Sequence, residues 1–156
     1  MKYVVLVIVI ALTVFFFTRS SNNKKVAGEN NAIGKDFLAK NKTVAGVAET
    51  ASGLQYQVLE QGEGTEHPRA SSKVKVHYHG TLLDGSVFDS SVDRGEPISF
   101  GLNQVISGWT EGVQLMVVGD KFKFYIPSKL GYGNRSAGKI APGSLLIFEV
   151  TLLEIQ

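Results

Sequence analysis

From Ser52 to the C-terminus the apolar residues of this chain recur in twos, in short runs parted by turn residues, and a single stretch recurs at helical spacing. No other feature narrows the possible folds as much. Lys73-Val74-Lys75-Val76-His77-Tyr78-His79 alternates strictly. Gly53-Leu54-Gln55-Tyr56-Gln57-Val58-Leu59 also alternates, and Pro97-Ile98-Ser99-Phe100 and Lys121-Phe122-Lys123-Phe124-Tyr125-Ile126 are further short runs. A period of two sets one face of each run against a core. Ser144 to Ile155 predicts a long last strand with Leu146, Phe148, Val150 and Leu152 on one side. Gly62 and Gly64 mark a loop, and Asp84-Gly85 is a hairpin-type turn leading to Val87 and Phe88. Antiparallel sheet is the expected outcome. The exception is Gln104 to Val113. There Val105 and Ile106 arrive extended, Gly108 lets the chain turn, and Trp109, Val113 and Met116 follow at helical spacing, which predicts about three turns of helix whose buried stripe opens with the only Trp. One helix on the apolar face of an antiparallel sheet is an α+β domain of two layers.

Ahead of the sheet the chain changes character twice. Tyr3 to Phe17 is uncharged, with Lys2 before it and Arg19, Lys24 and Lys25 after it. As a helix it would reach about 22 Å, short for a hydrocarbon core near 30 Å, although flanking side chains can snorkel and the bilayer can thin. The same length suits a signal h-region, but Thr18 and Ser20 are a weak cleavage pattern interrupted by Arg19. Residues 1–19 are therefore expected to be a membrane anchor, with a cleaved signal as the alternative. Residues 20–49 are rich in Asn, Lys, Ser and Gly and read as a polar tether, with Ile33, Phe37 and Leu38 giving one apolar side to a short helix before Gly46. Of the 156 residues this leaves 50–156 for one globular domain.

Composition removes several functions. Lys and Arg number 16 against 14 Asp and Glu, a net charge of +2 without basic clusters interleaved with aromatics, so nucleic acid is not an expected partner. The absence of Cys excludes disulfides, thiol catalysis and Cys-ligated metal. His77 and His79 share a face of one strand, but no third ligand sits at readable spacing and no metal site is expected. Gly62-Glu63-Gly64 and Gly131-Tyr132-Gly133 lack the third glycine of a phosphate loop, and no Gly-x-Ser-x-Gly elbow occurs. What remains is an aromatic, apolar constellation with one acid.

Val76-His77-Tyr78-His79-Gly80, Gly85-Ser86-Val87-Phe88-Asp89-Ser90-Ser91, Val105-Ile106-Ser107-Gly108-Trp109-Thr110-Glu111-Gly112, Ile126-Pro127, Gly131-Tyr132-Gly133 and Leu146-Ile147-Phe148-Glu149-Val150 together resemble the FK506-binding-protein (FKBP) type of peptidyl-prolyl isomerase. The order and spacing of these pieces over residues 50–156 make the match specific. Gly46 to Tyr56 is similar to the lead-in of the bacterial macrophage-infectivity-potentiator-like branch. That branch usually carries a long helical dimerisation stalk, for which the stretch between Ser20 and Val47 is expected to be too short.

The resemblance implies a twisted antiparallel sheet wrapped on one short helix, with a proline-binding pocket between them. It implies Trp109 as the floor and Tyr78, Phe88, Val105, Ile106 and Phe148 as walls. Ile98 stands where an aromatic is frequent, and Ile140 matches an apolar residue of the flap loop. Asp89 is implied as the pocket carboxylate held by Tyr78 and Arg94, with the Tyr132 hydroxyl and the Ile106 N–H offered to substrate. Ser136, Ala137, Gly138, Lys139 and Ala141 depart from the Pro and apolar residues common in the flap. The implied activity is rotation of X-Pro bonds without a cofactor, on Pro-containing unfolded or nascent chains, with macrolides of the FK506 type as inhibitors. A module that grips proline-containing or unfolded chains with little isomerase activity is the alternative. The charges after Tyr3–Phe17 argue for a cytoplasmic domain, yet the resemblance is to exported proteins. The expected location is therefore the periplasmic side of a single-pass inner-membrane anchor.

Overall fold

The computed structural model describes the backbone of residues 2–156 and the side chains of residues 22–156. Helix α1 runs over Lys2–Asn41. It leads into β1 (Val47–Glu49), β2 (Gln55–Glu60), β3 (Lys73–Thr81) and β4 (Val87–Ser90). A short helix α2 (Ser91–Arg94), strand β5 (Ile98–Gly101), helix α3 (Ser107–Val113), β6 (Lys121–Ile126) and β7 (Leu146–Ile155) complete the chain. The strands form one antiparallel sheet in the order β1-β2-β6-β7-β3-β4. Strand β5 shares the outer edge of β3 with β4: Val76 lies opposite Ile98, and His79 opposite Ser90. Helix α2 fills the gap between them. Its start is capped by the Ser90 hydroxyl, which accepts from the Asp93 N–H, and it ends on Gly95 in the left-handed region.

In β3, β6 and β7 the alternation read from the sequence sorts the faces as expected; around β2 it holds for Leu54 and Tyr56, but Val58 is exposed and Gln55 is buried beneath α1. Val74, Val76 and Tyr78 of β3, Phe122, Phe124 and Ile126 of β6, and Leu146, Phe148, Val150 and Leu152 of β7 enter one core with Trp109, Val113 and Met116. Helix α3 is shorter than the expected three turns. It has 7 residues and begins at Ser107, one residue after Ile106, whose carbonyl accepts from the Trp109 and Thr110 N–H groups. Met116 still belongs to the core, but its N–H closes a turn on Val113 O. Asp120 fixes the exit by accepting from the N–H groups of Val117 and Gly62. The last strand begins at Leu146 and not at Ser144, because Pro142 and Gly143 turn the chain first.

The tether expected over residues 20–49 is a correction. Ser20 to Lys35 belong to the continuous helix α1, so the stretch before Val47 is not too short for a helix of stalk length, and the sheet itself begins at β1, before residue 50. Ala27, Gly34 and Asn41 are buried, with Asn31 and Leu38 half-buried, a repeat at helical spacing. Phe37 rests on Tyr125 with ring centroids 5.8 Å apart, so α1 covers the outer face of β6. Asn41 Nδ2 donates to Gln55 Oε1 at 2.9 Å, and Gln55 Nε2 donates to Leu38 O at 2.9 Å and Glu49 Oε2 at 2.8 Å. The expectation of an anchor over Tyr3 to Phe17 lies outside the residues whose side chains are described. Among the described residues no helix is long and apolar enough to cross a membrane.

Candidate functional site

Helix α3 places Trp109 beneath a cavity of about 520 Å³ on the core side of the sheet. The ring is only 5 % exposed, and three aromatic rings box it in. Tyr78 of β3 and Phe148 of β7 meet it edge-on, with centroids 5.4 and 5.2 Å away and interplanar angles of 83° and 87°. Phe100 of β5 closes a third side at 5.3 Å. Edge-to-face packing directs positive ring edges at negative faces, and each such pair contributes about 0.5–1.5 kcal/mol beyond its burial. Trp109 Nε1 is buried without a hydrogen-bond partner among the described residues, so the indole is placed for its ring and not for its N–H.

One wall of the cavity is ionic. Asp89 of β4 stands beside Tyr78 through the pairing of Gly80 with Asp89. The Tyr78 hydroxyl donates to Asp89 Oδ2 at 2.5 Å, Arg94 donates to Asp89 Oδ1, and a second Arg94 N–H reaches the Tyr78 hydroxyl at 3.0 Å. The Arg94 guanidinium also lies 5.8 Å from the Tyr78 ring centre. Burial pushes the Asp89 carboxyl up, but the hydrogen bonds from Tyr78 and Arg94 and the Arg94 charge outweigh it and hold the group below its ordinary value. Burial, followed by the Asp89 acceptor, raises the Tyr78 phenol above its ordinary value. Asp89 is thus an anion with both oxygens engaged, which suits a fixed negative wall better than a proton donor.

The structure brings Tyr78, Asp89, Ile98, Val105, Ile106, Trp109, Tyr132 and Phe148 together around the cavity. Three further residues expected there do not line it. Phe88 packs its ring against Phe148 at 5.2 Å and 88°, and Arg94 acts on Asp89 from the rim. Ile140 is 5 % exposed within the core, where its N–H and C=O pair with Ala137. Tyr132 is 38 % exposed, and its hydroxyl has no hydrogen-bond partner among the described residues. The Ile106 N–H likewise donates to no backbone acceptor among them. The sequence reading missed Phe100, Gln104, Ser107, Gly131 and Arg135. Phe100 was legible, since it follows Ile98 by two residues on one strand and so shares its face. Arg135 carries no local signal.

The paired histidines lie apart from the cavity lining. His77 Nδ1 is 2.9 Å from Ser91 Oγ and His79 Nδ1 is 2.8 Å from Ser90 Oγ, so each ring meets a serine of the β4–α2 junction. No group of three or more His, Cys, Asp or Glu placed to hold a metal ion occurs among the described residues.

Comparison with known proteins follows the same lines. Residues 64–153 match the family described as FKBP-type peptidyl-prolyl cis-trans isomerase, and residues 10–58 match the domain amino terminal to it. The FKBP-type peptidyl-prolyl cis-trans isomerase FkpA of Aeromonas hydrophila is 59% identical over 132 residues, 85% of this chain and 49% of the relative. The outer membrane protein MIP of Legionella longbeachae is 44% identical over 85% of this chain and 57% of its own length. The chain thus spans about half the length of the curated relatives it matches. The crystal structure of FkpA from Escherichia coli superposes with a TM-score of 0.84 at 42% identity, covering 94% of this chain and 71% of that one. With the family match extending over the sheet, α3 and the cavity, the chain belongs to the FKBP-type peptidyl-prolyl cis-trans isomerases, in the branch that includes FkpA and MIP.

Proposed function

We propose that the chain is a peptidyl-prolyl cis-trans isomerase that rotates X-Pro bonds in unfolded or nascent proteins of the cell envelope, without a covalent step or cofactor. The observation that carries this reading is the boxed Trp109 ring beneath a cavity whose one carboxylate is locked by Tyr78 and Arg94. Rotation about an X-Pro bond meets a barrier of about 18–20 kcal/mol because amide resonance is lost, and no bond is made or broken. A dry aromatic pocket disfavours the planar, strongly dipolar amide relative to the twisted one. A ~10⁶-fold acceleration requires about 8 kcal/mol of differential stabilisation.

In this reading proline sits on Trp109 between Tyr78, Phe100 and Phe148, with Val105 and Ile98 at the sides. The Tyr132 hydroxyl and the Ile106 N–H, both without a described partner, donate to substrate carbonyls. Asp89 sets a fixed negative charge along one side of the amide as its resonance is lost. Phe88, Arg94 and Ile140 hold these groups from behind. FK506-type macrolides would occupy the same cavity. The test uses a short X-Pro peptide. Tyr132→Phe loses part of the activity, and Asp89→Ala and Trp109→Ala alter both turnover and macrolide binding with circular dichroism unchanged. Full activity in all three variants refutes the site.

Residues 50–156 hold this pocket, and the apolar run Tyr3 to Phe17 anchors the chain with the domain on the periplasmic side. The supports are the family and a relative named as an outer membrane protein. Protease added to spheroplasts then removes the domain, whereas protection until lysis contradicts the orientation. A soluble product starting near Ser21 would replace the anchor with a signal peptide.

A further inference from the structure

The turn that carries Tyr132 is fastened to α1, a helix none of whose described residues lines the cavity over Trp109. Ser128 forms the base of this turn. Its carbonyl accepts from the Gly131 N–H at 2.9 Å and the Gly133 N–H at 2.8 Å, so the residues on both sides of Tyr132 hang on one oxygen. The hydroxyl of the same serine, which is only 8 % exposed, donates to Asn31 Oδ1 of α1. Asn31 Nδ2 then donates to Asn134 Oδ1 at 3.0 Å, immediately beyond Gly133. The far stem of the loop is tied in the same way. Gly143 N–H donates to Gly133 O at 2.9 Å, and Asn30 Nδ2 donates to Pro142 O at 2.9 Å. Gly143 makes this approach possible: its φ is +76°, and a Cβ there would lie 2.4 Å from Ala27 O.

We propose that Asn31 is a positioning residue for the pocket, one amide of α1 that holds Ser128 and Asn134 together and thereby sets where the Tyr132 hydroxyl stands. The inference rests on the reading of Tyr132 as the donor to substrate. The Tyr132 ring is half-exposed and its hydroxyl has no partner among the described residues, so its placement depends on the backbone beneath it. That backbone is held through Ser128, and Ser128 is held by Asn31. A hydroxyl fixed before substrate arrives loses less freedom on forming its bond, and misplacement by about 1 Å can cost a large rate factor. Helix α1 is thus part of what orders the site, although none of its described residues lines the cavity.

The test is a double-mutant cycle in the full chain, read as kcat/KM for a short X-Pro peptide. Asn31→Ala lowers kcat/KM roughly 3- to 10-fold, the span of one net hydrogen bond transmitted to the transition state. Asn31→Asp keeps the acceptor for Ser128, and the exposed Asn134 amide can turn to donate to the second carboxylate oxygen, so this variant retains the parent rate. In a Tyr132→Phe background Asn31→Ala costs nothing more, because both substitutions act through one hydroxyl. Phe37→Ala loosens α1 at Tyr125, away from the loop. It lowers Tm and leaves the rate unchanged. Parent-like turnover of Asn31→Ala beside an impaired Tyr132→Phe overturns the proposal alone. So do additive losses in the cycle, or an equal loss in Phe37→Ala. A fully active Tyr132→Phe overturns the reading of Tyr132 and the proposal with it.

Discussion

Replacing Gly112 with Ala tests how α3 reaches the sheet. Gly108 and Gly112 lie one turn apart on the side of α3 that faces β6. A Cβ on Gly112 would sit 2.6 Å from Phe124 Cε1, and one on Gly108 would sit 2.7 Å from Ile126 Cγ2. Both neighbours are fully buried in the core and have nowhere to move. Carbon atoms in contact prefer about 3.5–4.0 Å, so the helix must rise by roughly 1 Å. Ala in place of Gly favours a helix by about 1 kcal/mol, while overpacking of this kind costs about 1–3 kcal/mol. A 2.6 Å approach to a buried ring belongs to the upper part of that range, about 2–3 kcal/mol, so the steric term wins and Gly112→Ala is expected to destabilise the protein by about 1–2 kcal/mol net, lowering Tm by about 2–8 °C. Activity falls further than stability, because α3 carries Trp109 and a shift near 1 Å at a reacting centre can cost about 10²-fold. Gly28→Ala in α1 is the control, since beyond the helix's own backbone no described atom lies within 4 Å of a Cβ placed there. It is expected to stabilise by about 0.5–1 kcal/mol with unchanged turnover. Thermal melts and X-Pro peptide kinetics on both variants decide the matter. A Gly112→Ala protein that melts higher, as Gly28→Ala does, refutes the packing argument.

The Asp89 carboxyl is held below its ordinary value of 3.8, so the stability it contributes is full above that value and disappears as pH falls through the lower folded value. The Tm gap between the parent and Asp89→Asn should therefore be constant at about pH 5–7 and close as the pH falls below 3.8 and through the lower folded value. A gap that ignores pH contradicts the ionic wall. Gln55→Leu leaves Asn41 Nδ2 and Leu38 O without the partner that bound them. It should cost about 1–3 kcal/mol in urea denaturation and speed amide exchange in the last turn of α1. Unchanged exchange there would show that this junction does not hold the helix.

The sheet was readable because each inward strand residue is separated by one from the next, as in Val74, Val76 and Tyr78, and because Trp109 and Val113 stand at helical spacing. Helix α1 was not readable over residues 20–35. Its buried side uses Ala27, Asn31 and Gly34, which carry no hydropathy signal and dock through amide hydrogen bonds and close backbone approach. The gathering of Tyr78, Asp89, Trp109 and Phe148 came from the family pattern, since their contacts span long stretches of sequence that periodicity does not link. Arg135 enters the cavity only through the course of the loop after Gly133, and no motif fixes that course. Phe88 and Ile140 were expected at the surface of the pocket and instead pack behind it, because one-dimensional spacing does not separate a wall from its backing.

The most direct measurement of the central claim is refolding of a proline-limited substrate protein in the presence of the chain. The uncatalysed prolyl phase takes tens to hundreds of seconds. The account predicts that the chain shortens this phase in proportion to its concentration, leaves the fast phases unchanged, and loses the effect when an FK506-type macrolide fills the cavity over Trp109. A rise in refolding yield with the slow rate untouched would contradict it and leave a protein that binds unfolded chains without turning their prolines.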